Sequence, residues 1–540
     1  MASMTWPCRL NQAAGDWSDA ARMLADHSFS LTLDGQAQTM QALVLAFPPG
    51  VDHMELALVR ATVDLAQGRL DEAAAHLAVA ETYAGTAPPE RRHLHRVAVA
   101  SLKLSLARRQ GRFSGVFEQV ELLASPVTGQ SVEDIALGSD LRAVALMNLG
   151  TAEVWSRLPD AERHLREGAA LAREIDRPYI EVACLAQAGF ASLVLHSFVT
   201  TRRRCHEAIA LAERYGWGRE RVIVPALLAQ ASTMVWTGEF DDGDRWLRRT
   251  ERALQTDTGP DIRLLVHMAN GLLHAGRGRH HEALEEFGAA EHLEPQLQGS
   301  HAPARLVTGW LLATQARAGL AGEARAALEA LDDERAGAGE IGNARAVICL
   351  AEGNPAAALA AVADVLVGTA PVIGHRTPRA RMPTVVETHL LAGLAHRALG
   401  DQHAANQATE QALALAEPDR LVLPFAMTSS AKLLEALPRQ QTAHAALLAD
   451  ILDVLHGSSP AAKAQSSSPP SEELSPSELK VLRYLPTNLS RPEIAYELSV
   501  SPNTVGTHLR SIYAKLQVRD RSSAVQRARE LRLLAARRVR

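Results

Sequence analysis

Glycine recurs at the ends of helical patterns through most of this 540-residue sequence, often with a small residue five positions later. The pairs are Gly15/Ala20, Gly68/Ala73, Gly238/Gly243, Gly278/Ala283, Gly319/Ala324, Gly353/Ala358 and Gly400/Ala405. Adjacent spacings mostly run from 34 to 53 residues. Gly111 opens a similar turn in RRQGRFSGVFEQ but is followed by Val116, and the 127 residues from there to Gly238 leave room for three units with altered turns. A glycine at the end of a helical stretch supplies the left-handed cap that stops it. A small residue early in the next helix lets the two backbones approach. One such helix pair cannot bury its apolar face alone, so neighbours must stack. The pattern predicts an all-α chain whose residues 8–455 form an α-solenoid of helical hairpins of the tetratricopeptide type; the alternative is a non-repeating helical domain.

Composition agrees. Aromatics are only 4% of the chain, whereas Ala and Leu are abundant, which favours helices over sheets. The segment GSSPAAKAQSSSPPSEE, residues 457–473, has no hydrophobic periodicity and reads as a flexible linker spanning roughly 20–25 Å. It separates a repeat domain, 1–456, from a small C-terminal domain, 474–540. Charge divides at the same place. Residues 475–540 hold 13 Lys+Arg against 5 Asp+Glu, a balance of +8; with −5 for the whole chain, residues 1–474 carry −13. A basic tail on an acidic body points to a polyanion partner, or else to a solvated basic surface. Cys8, Cys184, Cys205 and Cys349 are scattered and suggest neither a disulfide framework nor a zinc site. The N-terminus lacks an apolar core segment, and the longest apolar run contains Asp364. A cytoplasmic chain without a membrane span is expected.

Helix start signals divide the C-terminal domain into four helices. Ser475-Pro-Ser-Glu478 fits a capping box, Ser490-Arg-Pro-Glu493 repeats it, Ser501-Pro502 opens a third helix, and Asp520 caps a fourth. On the third helix Val505, Leu509, Ile512 and Leu516 make one apolar stripe. Ile494, Ala495, Leu498 and Val500 supply the surface facing it. This is the layout of a helix-turn-helix, with Asn503, Gly506, Thr507, Arg510 and Ala514 on the outer face.

These residues resemble the LuxR-type DNA-binding domain over about 60 positions. The anchors include Glu478, Val481-Leu482, Glu493-Ile494-Ala495, Leu498, Thr504-Val505, His508, Lys515-Leu516, Arg521 and Ala524-Val525. The resemblance implies double-stranded DNA as partner and a homodimer on it. It places Gly506, Thr507 and Arg510 at base-facing positions, beside Asn503 on the same outer DNA-binding face, with Ser490, Arg491, Thr504 and Lys515 on the phosphates. Arg521 completes the DNA-binding set. The fourth helix is the family's dimer surface, here Val525, Ala528 and Leu531. The family commonly has Lys where this chain has Gly506. The glycine either relaxes specificity or lets the helix sit closer to a base edge.

The opening AAGDWSDAARMLADHSFSLTLDGQAQTMQALVLAFPPG and then LALVRATVDLAQGRLDEAAAHLAVAE look like the repeat region of MalT-type regulators. In that family an ATP-binding STAND module usually precedes the repeats. Here nothing matches GxxxxGK[ST], and there are only five lysines. The expectation is a short form lacking the ATPase, or a start inside a longer gene. The resemblance implies a small-molecule inducer or protein partner on the solenoid; RNA polymerase is a further candidate partner. Two other readings stand beside a bacterial transcription regulator: the C-terminal portion of a STAND ATPase regulator, or a helical interaction scaffold with weak DNA binding. No GxSxG nucleophile or paired carboxylates suggest an enzyme, no βα alternation suggests a receiver domain, and no cofactor is implied. His93/His95 and His280/His281 lack metal-site spacing. Arg202-Arg203-Arg204 reads as a solvated helix face.

Overall fold

The computed structural model describes residues 5–33, 36–48, 50–51, 53–82, 92–110, 132–156, 160–195, 197–254, 260–296, 302–331, 338–368, 382–437, 442–456, 474–486, 489, 491–498, 500–516, 518, 521–530 and 533. The expected linker, Gly111, Ser490, Asp520 and Leu531 lie outside them. Contacts divide the chain into two units, Met1–Gly457 and Ser458–Arg540.

The first unit is helical hairpins. It opens with α1 (Thr5–Ala14) and α2 (Trp17–Leu33), then α3 (Ala37–Leu45), α4 (Met54–Gln67), α5 (Leu70–Thr82) and α6 (Arg92–Arg109). The middle pairs α7 (Val132–Ser156) with α8 (Ala161–Glu174), α9 (Pro178–Val194) with α10 (Phe198–Arg214), and α11 (Val224–Trp236) with α12 (Phe240–Leu254). Next come α13 (Pro260–Gly276) with α14 (His280–Leu293), and α15 (Ala302–Arg317) with α16 (Ala321–Glu329). The series continues through α17 (Gly339–Ala351) with α18 (Pro355–Val367) and α19 (Met382–Ala398) with α20 (Gln402–Ala416). It ends in α21 (Leu423–Met427), α22 (Ala431–Ala436) and α23 (Ala445–Leu455). First helices of successive hairpins pack on one another from α9 to α19, which makes the stack a solenoid.

The glycine pattern of the sequence is realised at every pair. All seven glycines adopt positive φ, between +70° and +89°. All seven small partners are buried. The long gap is filled by α7/α8 and α9/α10, whose connecting residues contain no glycine. In α10 the wholly buried Thr201 takes the small position and donates its hydroxyl to the Ser197 carbonyl at 2.9 Å. Two of the three consecutive arginines are not a free solvated face. Arg202 bonds Glu239 and the Thr237 hydroxyl, and Arg204 bonds Glu162 and the Ser192 hydroxyl. They tie α10 to its neighbours, and only Arg203 is exposed. The four cysteines are buried thiols. Burial pushes the Cys205 thiol up to about 12.

The solenoid's last segment folds back onto its middle. The Val422 amide donates to the Trp236 carbonyl at 2.9 Å, and Asp419 accepts the Phe198 amide at 3.4 Å. Leu421, Val422, Leu423 and Phe425 are buried in the same core as Leu227 and Leu264. Two glycines shape the seat. A Cβ on Gly238 would lie 2.7 Å from Val422, and one on Gly276 would lie 2.7 Å from Leu423. Beneath α21 a cavity of ≈ 20 Å³ remains, lined by Trp236, Trp310, Glu340, Thr384, Glu387 and Met427 among others. It has room for about one water-sized group. Among the described residues no helix is long and apolar enough to cross a membrane.

Candidate nucleic-acid interface

Among its described residues the second unit holds α24 (Pro476–Tyr484), α25 (Arg491–Glu497), α26 (Pro502–Lys515) and α27 (Arg521–Glu530). α24 begins with a complete capping box between Ser475 and Glu478. α26 begins with the Ser501 hydroxyl accepting the Thr504 amide at 3.1 Å. Such caps satisfy amides that a helix start otherwise leaves unpaired. The stripe Val505, Leu509, Ile512 and Leu516 is buried, against Ile494 and Ala495 of α25. Val500 does not join that surface and is 40% exposed. Its amide bonds back to the Ala495 carbonyl at 2.9 Å, so the chain turns there and sends the side chain outward.

The opposite face of α26 presents Thr504, Thr507 and Arg510, all exposed. Arg510 lies along the helix, with Nε 3.4 Å from the Gly506 carbonyl and Nη2 3.5 Å from the Thr507 hydroxyl. These are long contacts that release easily. Gly506 is buried, because Arg491 reaches across from α25. The side chain of Asn503 lies outside the described residues. The structure therefore gathers Arg491, Gly506, Thr507 and Arg510 into one patch.

Lys515 and Arg521 are placed apart from that patch. Lys515 Nζ bonds Glu478 Oε2 at 3.0 Å. Arg521 donates Nε to the Leu485 carbonyl at 3.0 Å, Nη1 to Leu489 at 2.7 Å and Nη2 to Tyr484 at 3.2 Å. It fastens the start of α27 to the end of α24. Of the dimer candidates, Ala528 is fully buried in this unit's own core beside Ala524, and Val525 packs partly against that core. Ala524 and Ala528, four residues apart, form the contact stripe of a short helix on its own domain.

Glu478 joins α24 to α26. Its Oε1 accepts the Ser511 hydroxyl at 2.5 Å, and Oε2 accepts the Ser475 amide at 2.6 Å as well as Lys515. Burial opposes ionisation of this carboxyl, but the bonds from Ser511, Ser475 and Lys515 outweigh it and bring its pKa down to about 2. The sequence marks Glu478 as a cap and gives no sign of Ser511 as its partner.

Residues 472–528 match the family model described as bacterial regulatory proteins, luxR family. The chain is also 33% identical over 190 residues to the probable transcriptional regulatory protein NarL of Mycobacterium tuberculosis, in two strains. That match covers 86% of the relative and 31% of this chain. The chain belongs to the luxR family of bacterial regulators. Its C-terminal unit is thus a LuxR-family DNA-binding helix-turn-helix. Among solved structures, the chain is similar to a Rap protein complexed with competence and sporulation factor, at 12% identity and TM-score 0.41 over 76% of this chain and 99% of that one. It is also similar to the Cut9–Hcn1 hetero-tetramer of the APC/C, at 13% identity and TM-score 0.26 over 81% and 96%.

Proposed function

We propose that this regulator binds operator DNA by laying α26 in the major groove, as a homodimer, and that its helical repeats sense a small-molecule inducer or a protein partner. The observation that carries the DNA reading is the two-faced α26, with one side closed into the core and Thr504, Thr507 and Arg510 open on the other. Thr504 faces phosphate, while Thr507 and Arg510 face base edges. Lys515 and Arg521, whose donors are engaged within the unit, brace the fold. Arg510→Ala should relax preference at one base position by about 1–3 kcal/mol, measured by selection from a randomised operator pool. A uniform loss across all sequences would make Arg510 a phosphate contact instead.

The sensing reading is supported by the fold-back segment. Ordinary ligand pockets are about 300 Å³ or more, far above the ≈ 20 Å³ beneath α21. A ligand of that size enters the space beneath α21 only if α21 leaves its seat. The deciding experiment compares the full chain with residues 472–540 on one genomic fragment pool at fixed salt. Site selection by the short piece alone means that the repeats mask the DNA unit. Equal or better selection by the full chain removes masking. No selection by either sinks the DNA reading.

A further inference from the structure

We infer that Arg491 supplies the major-groove contact that Gly506 lacks, so that base preference at this point of the operator is set from α25 and not from α26. The inference rests on the DNA-binding reading of α26. A glycine in the middle of an exposed helix face costs the helix up to about 1 kcal/mol relative to alanine. It leaves a bare notch where a side chain would stand. That notch is occupied. A Cβ on Gly506 would lie 3.4 Å from Arg491 Nη1 and 3.8 Å from both its Cδ and Cζ. The guanidinium therefore lies over the α-carbon of residue 506, in the space through which a longer side chain at 506 would have to pass. Gly506 is buried beneath this side chain, although Thr507 and Arg510 on the same helix face are exposed.

The chemistry of that position suits base recognition. Arg491 carries a planar fork of donors matched to the O6/N7 edge of guanine. Among the described residues no carboxylate pairs with it. Arg510 holds the other side of the same residue through the Gly506 carbonyl at 3.4 Å. Two guanidinium groups thus flank position 506, Arg491 above the notch and Arg510 one turn further along α26. A helix start on its own would make Arg491 a phosphate contact. Its reach from the start of α25 to Gly506, in the second turn of α26, moves the charge toward the groove.

The sequence conceals this arrangement because residues 491 and 506 belong to different helices. Spacing distinguishes the two sizes of substitution at 506. An alanine meets Arg491 at ordinary contact distances and is accommodated. A lysine needs the volume the guanidinium fills and must displace it.

The test uses the full chain and the operator selected from a fragment pool, with affinity measured for every single-base variant of the site. Arg491→Ala should lose preference at one base position by about 5- to 150-fold between the best and worst base, while other positions keep theirs. Gly506→Lys should change the preferred base at that same position. The double variant should behave as Gly506→Lys alone, because the lysine has already evicted the arginine. Gly506→Ala should keep the wild-type preference, and its thermal melt shows that position 506 tolerates substitution. A uniform loss for Arg491→Ala reduces it to a phosphate contact and overturns the inference. Unchanged binding, or effects of the two substitutions that simply multiply, overturn it as well. If the wild-type chain selects no site, the DNA reading itself fails, and that result is distinct from all of these.

Discussion

Glu478→Gln is expected to lower the melting temperature of the DNA-binding unit by roughly 12–24 °C. The carboxylate takes bonds from Ser475, Ser511 and Lys515, which joins the start of α24 to two successive turns of α26. An amide turns one acceptor into a donor and leaves Lys515 facing a neutral group. Lowering the pKa from 4.5 to about 2 corresponds to about 3 kcal/mol of folding free energy. The sign fixes the pH window. The folded pKa lies below the unfolded one, so this stability is fully present above about pH 4.5. It is lost as pH falls toward 2. The gap between wild type and Glu478→Gln should therefore be constant from pH 5 to 8 and should close by about pH 2. Thermal melts of residues 472–540 followed by circular dichroism measure it. Equal melting temperatures at neutral pH, or a gap that persists in acid, would falsify the role given to Glu478. Loss of the fold would also abolish DNA binding, so the melt has to accompany any binding assay on this variant.

The features legible in the sequence are those that one short stretch encodes by itself. Gly68 ends α4 because a left-handed residue is needed there, and Ala73 is small because α4 and α5 close on each other. Ser475 with Glu478, and Ser501 with Pro502, announce helix starts within four residues. The stripe from Val505 to Leu516 shows which side of α26 is buried. What escaped the sequence depends on where a long side chain ends. Lys515 and Arg521 read as cations available to DNA, yet one meets Glu478 from 37 residues away and the other meets the Tyr484 and Leu485 carbonyls at the end of α24 and the Leu489 carbonyl beyond it. Ala528 reads as part of an outer apolar face, yet the short α27 turns it into its own core. Gly506 is visible as an oddity, but the side chain that covers it comes from α25. In each case the residue type was informative about its chemistry, and the partner was set by helix packing.

Phe425→Ala is expected to detach the fold-back segment while the hairpins beneath it stay folded. Phe425 is fully buried, and its removal from such a site costs about 3–5 kcal/mol. The segment is short, and its attachment concentrates in Leu421–Met427 against α11, α13 and α19. A loss of that size is comparable to the whole free energy of local opening, so residues 417–437 should exchange amide hydrogens faster by about two to three orders of magnitude. The Val422 amide, bonded to the Trp236 carbonyl, is the most direct reporter. Amides of α14 and α18, remote from the seat, should keep their protection. Gly238→Ala reaches the same end from the other side. Its φ of +80° is unfavourable for alanine, and the new Cβ would stand 2.7 Å from Val422. If both variants leave the exchange of residues 417–437 unchanged, the segment is not held by this seat. If both free it, each can be tested on DNA in the full chain. A gain of site selection on detachment would make the segment the element through which the repeats restrain the DNA unit. Detachment with unchanged selection would leave it as the solenoid's structural cap, and ligand sensing would have to act elsewhere on the repeats.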